Sequence, residues 1–403
     1  MRIGINCYLL QPHIGGIKQY FHALCRELLL RDDQNQYILF YFAQNIEELD
    51  KLGADLVARH GILLQDQGEI RQHLHRIDLY FCPFGSLIPR PLPLPTVVTI
   101  VDIQEVFFPE FFTVHNLVAR FWHYVGSTQM ADQVLTISAF SRDTLVRHHH
   151  LSPDKITVAH LCADERFYRA QETARQPAAA LPEKYIFYPA NRWLHKNHDM
   201  LLRAMAWLRD RENLTVHAVF TGFDQKNGYA IEEKARAYGI AGQVTQLGYV
   251  SVEELAYLYV HAEWMVFPSL FEGFGIPLVE AMAAGCPVLA SRATSLPEVG
   301  GDAVVYFDPE SPESLARALH EHLRNPARRK DLVERGYRRA RDFSAAGMAR
   351  NHLAAFRKAA LAYSRRRYLW LRYGYKYLHA GKTLFRAVRI LLGGKKGGNY
   401  PHR

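Results

Sequence analysis

Residues 264–300, WMVFPSLFEGFGIPLVEAMAAGCPVLASRATSLPEVG, place the narrowest limits on how this chain can fold. Trp264 to Phe267 is a short apolar run stopped by Pro268, the pattern of a buried parallel strand. SLFEGFGIP is too rich in glycine and aromatic residues to be a helix. Pro277 suits the start of the next helix, LVEAMAAG, because its fixed φ is already helical and the first turn needs no N–H from it. Gly285 closes that helix, and Val288 to Ser291 reads as a second strand. Strand, glycine loop, helix, strand makes one parallel unit. Its loop lies at the carboxyl edge of a sheet, where open α/β folds bind ligands.

Two carboxylates fall in this unit: Glu272 in the loop and Glu280 in the expected first turn of the helix. A helix start offers unpaired backbone N–H groups and so attracts anions. Gly273 and Gly275 allow the backbone to approach a ligand closely. A pyrophosphate at the loop, with each Glu accepting from sugar hydroxyls, is one reading. The other makes Glu280 a helix-start residue favoured by the macrodipole and leaves Glu272 solvated.

The run FPSLFEGFGIPLVEAMAAGCPV, followed by SLPEV, resembles the donor-binding signature of glycosyltransferase family 4, whose members are retaining enzymes of the GT-B fold. The resemblance extends from about residue 1 to 360. It implies an α/β chain of two doubly wound Rossmann-like domains facing a central cleft, followed here by a basic C-terminal helical tail. It also implies that Glu272 contacts the donor sugar and Glu280 the ribose hydroxyls. The backbone of Gly273, Phe274 and Gly275 would face the sugar and its phosphate.

A length of 403 residues exceeds one ordinary core and suits two domains. An apolar fraction of 49% with 22% charged residues is that of a soluble globular protein. The five cysteines (Cys7, Cys25, Cys82, Cys162, Cys286) are scattered and odd in number, which argues for a reducing compartment and against a disulfide framework. The N-terminal apolar run is too short for a signal peptide, and no stretch is apolar enough for a transmembrane helix. The expected place is the cytoplasm, peripheral at the inner face of the membrane. The net charge of +9 is uneven: Arg365 to Arg403 holds eleven Lys and Arg with no Asp or Glu, while the first 364 residues carry 38 basic and 40 acidic groups. Basicity confined to a tail is a local electrostatic device and does not mark a nucleic-acid-binding protein.

Along the chain, residues 2–10 read as a first strand. Gly15 and Gly16 then stand at the turn into the helix YFHALCRELLLR, where backbone N–H groups can meet a phosphate or sugar. They also match the family's N-terminal glycine pair. Short apolar strands recur at YILFYF, DLYFCP, TVVTIVD and QVLTIS, the cadence of a doubly wound sheet. Asp102 ends one of these at the ligand edge, where it either contacts acceptor or sugar or caps a turn. The family pattern has His-Asp there, and this chain has Val101-Asp102. Cys162 likewise replaces a Gly at the family's exit turn from the first half. His148, His149 and His150 are consecutive, so they do not converge on one helix face as metal ligands would. The expected boundaries are 1–170 for an acceptor-side domain, 171–184 for an Ala/Pro-rich linker and 185–345 for a nucleotide-sugar domain. A helix over 346–364 returns to the first domain, and 365–403 forms the tail.

The second half restarts with YIFYPANRWLHKNHDMLL, a strand followed by a cationic loop holding Arg192, His195 and Lys196. By resemblance Lys196 matches a donor-binding Lys. The family's Arg five positions earlier is Asn191 here, with Arg192 one residue later. Gly248 and Tyr249, in LGYV, match the segment that meets the nucleobase largely through backbone, and Glu298 matches a Glu near the donor. Ser251 with Glu254 forms a capping box. The tail alternates Arg and Lys with Tyr, Trp, Leu and Phe, which suits an anionic bilayer surface or, as the alternative, a helix docked on the body.

These features lead to a retaining glycosyltransferase acting on a nucleoside diphosphate sugar, with no other cofactor and no nucleic-acid partner. Its expected substrate is a hexose, by analogy mannose from GDP-mannose. The acceptor would be a glycan or lipid-linked molecule of bacterial polysaccharide or lipopolysaccharide synthesis. Catalytic roles fall to Glu272, Lys196, Arg192 and Asp102. The chain contains no Asp-x-Asp triplet, the usual carboxylate grip on a metal-bound diphosphate, so a metal-independent reaction is expected. The alternatives are a nucleotide-sugar epimerase of the same fold and a non-catalytic membrane scaffold.

Overall fold

The computed structural model describes residues 1–11, 15–223 and 229–393. The chain divides into two compact units, one of Met1–Cys162 with the described residues from Ala345 onward, the other of Ala163–Ser344.

The first unit carries seven strands: β1 (Arg2–Asn6), β2 (Gln36–Tyr41), β3 (Gly61–Leu63), β4 (Leu79–Cys82), β5 (Thr96–Thr99), β6 (Gln133–Thr136) and β7 (Ile156–Val158). They pair in parallel in the order β3-β2-β1-β4-β5-β6-β7. The central strands β4, β5 and β6 are buried along their whole length, as a parallel sheet covered by helices on both faces requires. From β1 the chain winds outward through β2 and β3, then returns to β4 on the other side of β1. That reversal is the topological switch point, and it opens a crevice beyond the carboxyl ends of β1 and β4.

The helix Ala345–Ala362 packs on this sheet and on the helix Gly16–Arg31. The phenol of Tyr20 lies 2.8 Å from His352 Nε2 and 3.0 Å from Thr99 Oγ1, and Phe356 packs on Phe81 at 5.1 Å. Burial holds the His352 imidazole down at about 4, so it sits neutral in the core.

The second unit carries β8 (Ile186–Pro189), β9 (Ala218–Thr221), β10 (Val244–Gln246), β11 (Trp264–Phe267), β12 (Val288–Ser291) and β13 (Val304–Phe307). Their order is β10-β9-β8-β11-β12-β13, again all parallel, with the reversal between β8 and β11. The division between units falls eight residues before the expected end of the first domain. Phe167 is buried against Tyr259 at 5.6 Å and Arg166 bonds Glu253 at 2.7 Å, which ties residues 164–168 to the second unit. The expected linker begins inside a short helix, Ala170–Thr173, and Arg175 N donates to Glu253 O at 3.0 Å.

The tail continues as helix Arg365–Trp370, a π turn Leu371–Tyr375 and helix Lys376–Gly393. One stripe, Tyr368, Leu371, Tyr375, His379 and Thr383, is buried against the first unit. Leu369, Trp370, Tyr373, Tyr377, Leu378, Leu384 and Phe385 face outward. Docking on the body and an exposed basic, aromatic face therefore coexist. Among the described residues no helix is long and apolar enough to cross a membrane.

Candidate active site

In the second unit, the loops leaving β8 and β11 are stitched together at the switch point. After β8 the chain makes a 3-10 turn, Leu194–Lys196, and Asn197 enters the left-handed region at φ 57, which Asn tolerates better than most residues. Asn197 Nδ2 donates to the carbonyls of Pro268 and Pro309, both at 3.1 Å. Leu270 N donates to His195 O at 2.8 Å, and the buried Tyr188 hydroxyl to Lys196 O at 2.6 Å. This backbone framework delivers Lys196 Nζ to 2.6 Å from Glu272 Oε1, with both side chains largely withdrawn from solvent.

Glu272 is itself clamped. Its N–H donates to Thr294 Oγ1 at 2.9 Å, while its carbonyl accepts from the hydroxyls of Thr294 and Ser295, each at 2.9 Å. Thr294 holds φ 49, a costly conformation for a β-branched residue and one that clusters at functional sites. Gly275 precedes the helix Ile276–Ala283 at φ 94, and a Cβ there would lie 2.7 Å from Leu296 Cδ2. The N-cap residue is Gly275, which has no side chain to cap that helix start. Phe274 turns its ring inward onto Phe343 at 5.3 Å, so contact with a ligand at Gly273, Phe274 and Gly275 falls to the backbone.

Glu280 lies on the second turn of that helix, not the first, because the helix begins at Ile276 and Pro277 takes its second position. It is 3% exposed, and burial pushes its carboxyl up to about 7 although the Tyr259 hydroxyl donates to it at 3.0 Å. Tyr259 is a partner that sequence reading missed, since its helical spacing marks it only as core.

The remaining second-unit candidates are engaged by their neighbours. Arg192 donates to Gln246 Oε1 and lies 3.6 Å from Glu232. Asn191 Oδ1 accepts from Phe223 N at 2.9 Å, fixing the exit of β9. Gly248, at φ 68, accepts from Gly222 N at 2.8 Å. Tyr249 is 65% exposed and stacked on Phe223, with ring centroids 4.8 Å apart. Phe223, also missed, completes an open aromatic platform at the carboxyl ends of β9 and β10. The only sequence cue was an aromatic residue just past a strand. Glu298 sits on the helix Leu296–Gly300, its carbonyl bonded by Arg339.

Gly15, Gly16 and Asp102 belong to the first unit. Gly15 caps the helix Gly16–Arg31 at φ 61, and among the described residues a Cβ there would meet nothing within 4 Å. Asp102 Oδ1 accepts from Gln104 N at 3.1 Å, the turn-capping geometry. Beyond β1 and β4 lies a cavity of about 450 Å³ whose walls include Asn6, Tyr8, Phe84, Arg120, His123 and Tyr124. Arg120 lies 3.2 Å from Glu105 and over the rings of Phe112 and Tyr124. Burial raises the Glu105 carboxyl to about 7 against the pull of that guanidinium.

Two doubly wound parallel sheets, the second carrying a glycine loop, a cation and two carboxylates at its carboxyl edge, make the GT-B fold. Solved structures agree on the fold: Anabaena Alr3699/HepE in complex with UDP-glucose superposes with a TM-score of 0.66 at 16% identity over 89% of this chain and 99% of that one. WaaG, a glycosyltransferase involved in lipopolysaccharide biosynthesis, gives 0.62 at 16% over 88% and 98%. Residues 170–339 match the family described as Glycosyl transferases group 1. The O-antigen chain mannosyltransferase B of Escherichia coli is 30% identical over 82% of this chain and 93% of its own. The MMP alpha-(1->4)-mannosyltransferase of Mycolicibacterium hassiacum is 30% identical over 89% and 98%. The chain belongs to the group 1 glycosyl transferase family and is a glycosyltransferase; neither the epimerase nor the scaffold reading is favoured by its relatives.

Proposed function

We propose that the protein moves a mannosyl group from GDP-mannose to a glycan or lipid-linked acceptor in bacterial surface polysaccharide synthesis, with retention of configuration and without a metal ion. The observation that carries this reading is the Lys196–Glu272 pair, 2.6 Å apart where the sheet order reverses and beside a helix start whose N-cap is glycine. Glycosyl transfer passes through an oxocarbenium-like state while negative charge grows on the departing diphosphate. Fixed positive groups aimed at that charge are the strongest means such an enzyme has of lowering the barrier. Lys196, Arg192 and the N–H groups around Gly275 supply them. When the donor binds, its diphosphate takes Lys196 from Glu272, which frees the carboxylate to accept from sugar hydroxyls. Glu280 accepts from the ribose, and the Tyr249–Phe223 platform carries the base. The leaving phosphate deprotonates the acceptor hydroxyl, so no protein nucleophile is required. Mannose is supported by the names of the two relatives above, and metal independence by the lack of an Asp-x-Asp triplet.

The test is thermal stabilisation by a panel of nucleotide sugars, followed by NMR of the anomeric configuration of the product. A ligand at 100 times its Kd stabilises by about 2.7 kcal/mol. GDP-mannose should give the largest shift. A shift with UDP sugars alone would overturn the mannosyl reading.

The outward face of the tail, in this reading, adsorbs to an anionic membrane, each basic group contributing about 1 kcal/mol at low salt. Because the inward stripe is buried, substitution is a cleaner probe than deletion. Leu369→Ser, Tyr373→Ser and Phe385→Ser together should abolish sedimentation with phosphatidylglycerol vesicles while donor hydrolysis persists. Equal sedimentation of parent and variant would exclude this surface.

A further inference from the structure

One wall of the first unit's cavity is a single helical segment that changes its winding midway. Val114–Arg120 is α-helical, Phe121–Val125 is a π turn, and Gly126–Met130 is α-helical again. Arg120, His123 and Tyr124 from this segment line the cavity. A π turn shifts the backbone hydrogen bonds of its residues, and such turns are frequent at functional sites. Here two carbonyls of the turn, those of Trp122 and His123, find partners outside the helix. Arg90 donates to Trp122 O at 2.7 Å and to His123 O at 3.1 Å, and it also bonds Ser127 Oγ at 2.8 Å.

The other partner comes from the tail. His379 Nε2 lies 3.0 Å from Trp122 O, and its ring stacks on the Trp122 indole at 4.8 Å with Tyr375 stacked behind it at 5.8 Å. Arg386 lies over Phe121 at 4.7 Å. Glycine at residue 126 leaves the room for this approach: a Cβ there would fall 2.5 Å from His379 Nε2 and 2.7 Å from Arg90 Nη2, so one of these groups would have to move. One turn further on, Arg367 pairs with Asp132 and donates to the carbonyls of Gln129, Met130 and Ala131, closing the end of the same segment.

We propose that the tail is a working part of the first unit's site: its inward stripe, through His379 seated over Gly126, holds the π turn that shapes the cavity wall and so sets affinity for the acceptor. This rests on the reading above that the first unit receives the acceptor. It assigns His379 and Gly126 as positioning residues, acting through Arg120, His123 and Tyr124, and it separates the tail's two faces into different tasks.

The experiment compares full-length parent, His379→Ala, Gly126→Val and His379→Gln, with GDP-mannose as donor and octyl α-mannoside as acceptor probe. His379→Ala and Gly126→Val should raise the acceptor KM roughly tenfold, since small misplacements of positioning groups are costly, with kcat and donor KM within about twofold of the parent. His379→Gln, which retains an N–H donor for Trp122 O, should recover part of the loss. Hydrogen exchange across residues 114–130 should quicken in the first two variants and return toward the parent in the third. Unchanged acceptor KM in variants that still bind GDP-mannose overturns the positioning role, as does unchanged exchange in that segment. Absence of transfer in the parent itself strikes the acceptor assignment instead, and the exchange measurement then still decides whether the tail holds the wall.

Discussion

The two sheets share a topology and differ in what stands at its reversal. Beyond β8 and β11 the chain places a lysine on a carboxylate, a clamped loop and a helix start. Beyond β1 and β4 it places an aromatic-walled cavity with one guanidinium, Arg120, 3.2 Å from Glu105. The winding order determines where a ligand can enter each sheet. The loop residues decide whether that ligand is a polyanion or a largely uncharged molecule. In the proposed reading, these divergent edges of a duplicated architecture serve one charged and one neutral substrate.

The sharpest way to break this contrast is to remove the cation from the second edge. Lys196→Ala should lower transfer by a factor of about 10² to 10³, the usual size for losing a preorganised donor to a developing oxyanion. Because it leaves Glu272 without its partner, it should also cost stability. The double variant Lys196→Met/Glu272→Gln should regain that stability and stay inactive. Transfer rates near the parent's in folded Lys196→Ala would show that the edge chemistry has been misjudged.

Next in size is pH dependence at Glu280. In the folded protein its carboxyl is held near 7, against an unfolded value near 4.5, so between those limits the folded state carries the extra proton. Its contribution therefore falls as pH rises from about 4.5 and is fully lost above 7, by up to about 3 kcal/mol. Unfolding midpoints of parent and Glu280→Gln, measured at pH 5 and pH 8, should shift in favour of the variant at the higher pH. Affinity for GDP should rise through pH 7 in the parent alone, as the carboxylate forms to accept from the ribose.

Gly275→Ala should destabilise the second unit by about 1 to 3 kcal/mol, since it combines a left-handed backbone with the Leu296 contact. Urea unfolding measures this, and a loss below 0.5 kcal/mol (about the scatter of a surface change) would mean the loop relaxes freely. The smallest effect belongs to the platform: Phe223→Ala should raise the donor KM a few-fold, in line with about 0.5–1.5 kcal/mol for an aromatic pair. An unchanged KM would remove that platform from the base's environment.

Legibility in the sequence followed the range of the signal. The 264–300 stretch could be read because proline, glycine and apolar runs mark strand, loop and helix locally, and the strands fall at Trp264–Phe267 and Val288–Ser291 as expected. The edge strands β3 and β13 were not singled out; β3 is three residues long, and each has only one neighbour. The Lys196–Glu272 contact joins residues 76 positions apart, so the residue types were readable but their meeting depended on β8 and β11 being neighbours. Phe223, Tyr259 and the cavity lining carry no distinctive local pattern. The tail's inward stripe was hidden for another reason: the π turn at Leu371–Tyr375 disturbs the 3.6-residue period, and Gly126 as its seat lies some 250 positions away.

The helix Ala345–Ala362 completes the core of the unit that contains the N-terminus, with His352 meeting Tyr20 across 332 positions. During synthesis, then, the half made first is finished last, while the middle of the chain can close on itself as soon as it leaves the ribosome. A message cut short after the second unit but before that helix yields a polypeptide with one sealed half and one open sheet face. Such a product would present itself to proteolysis at its beginning, so the fold carries its own check that translation passed that helix.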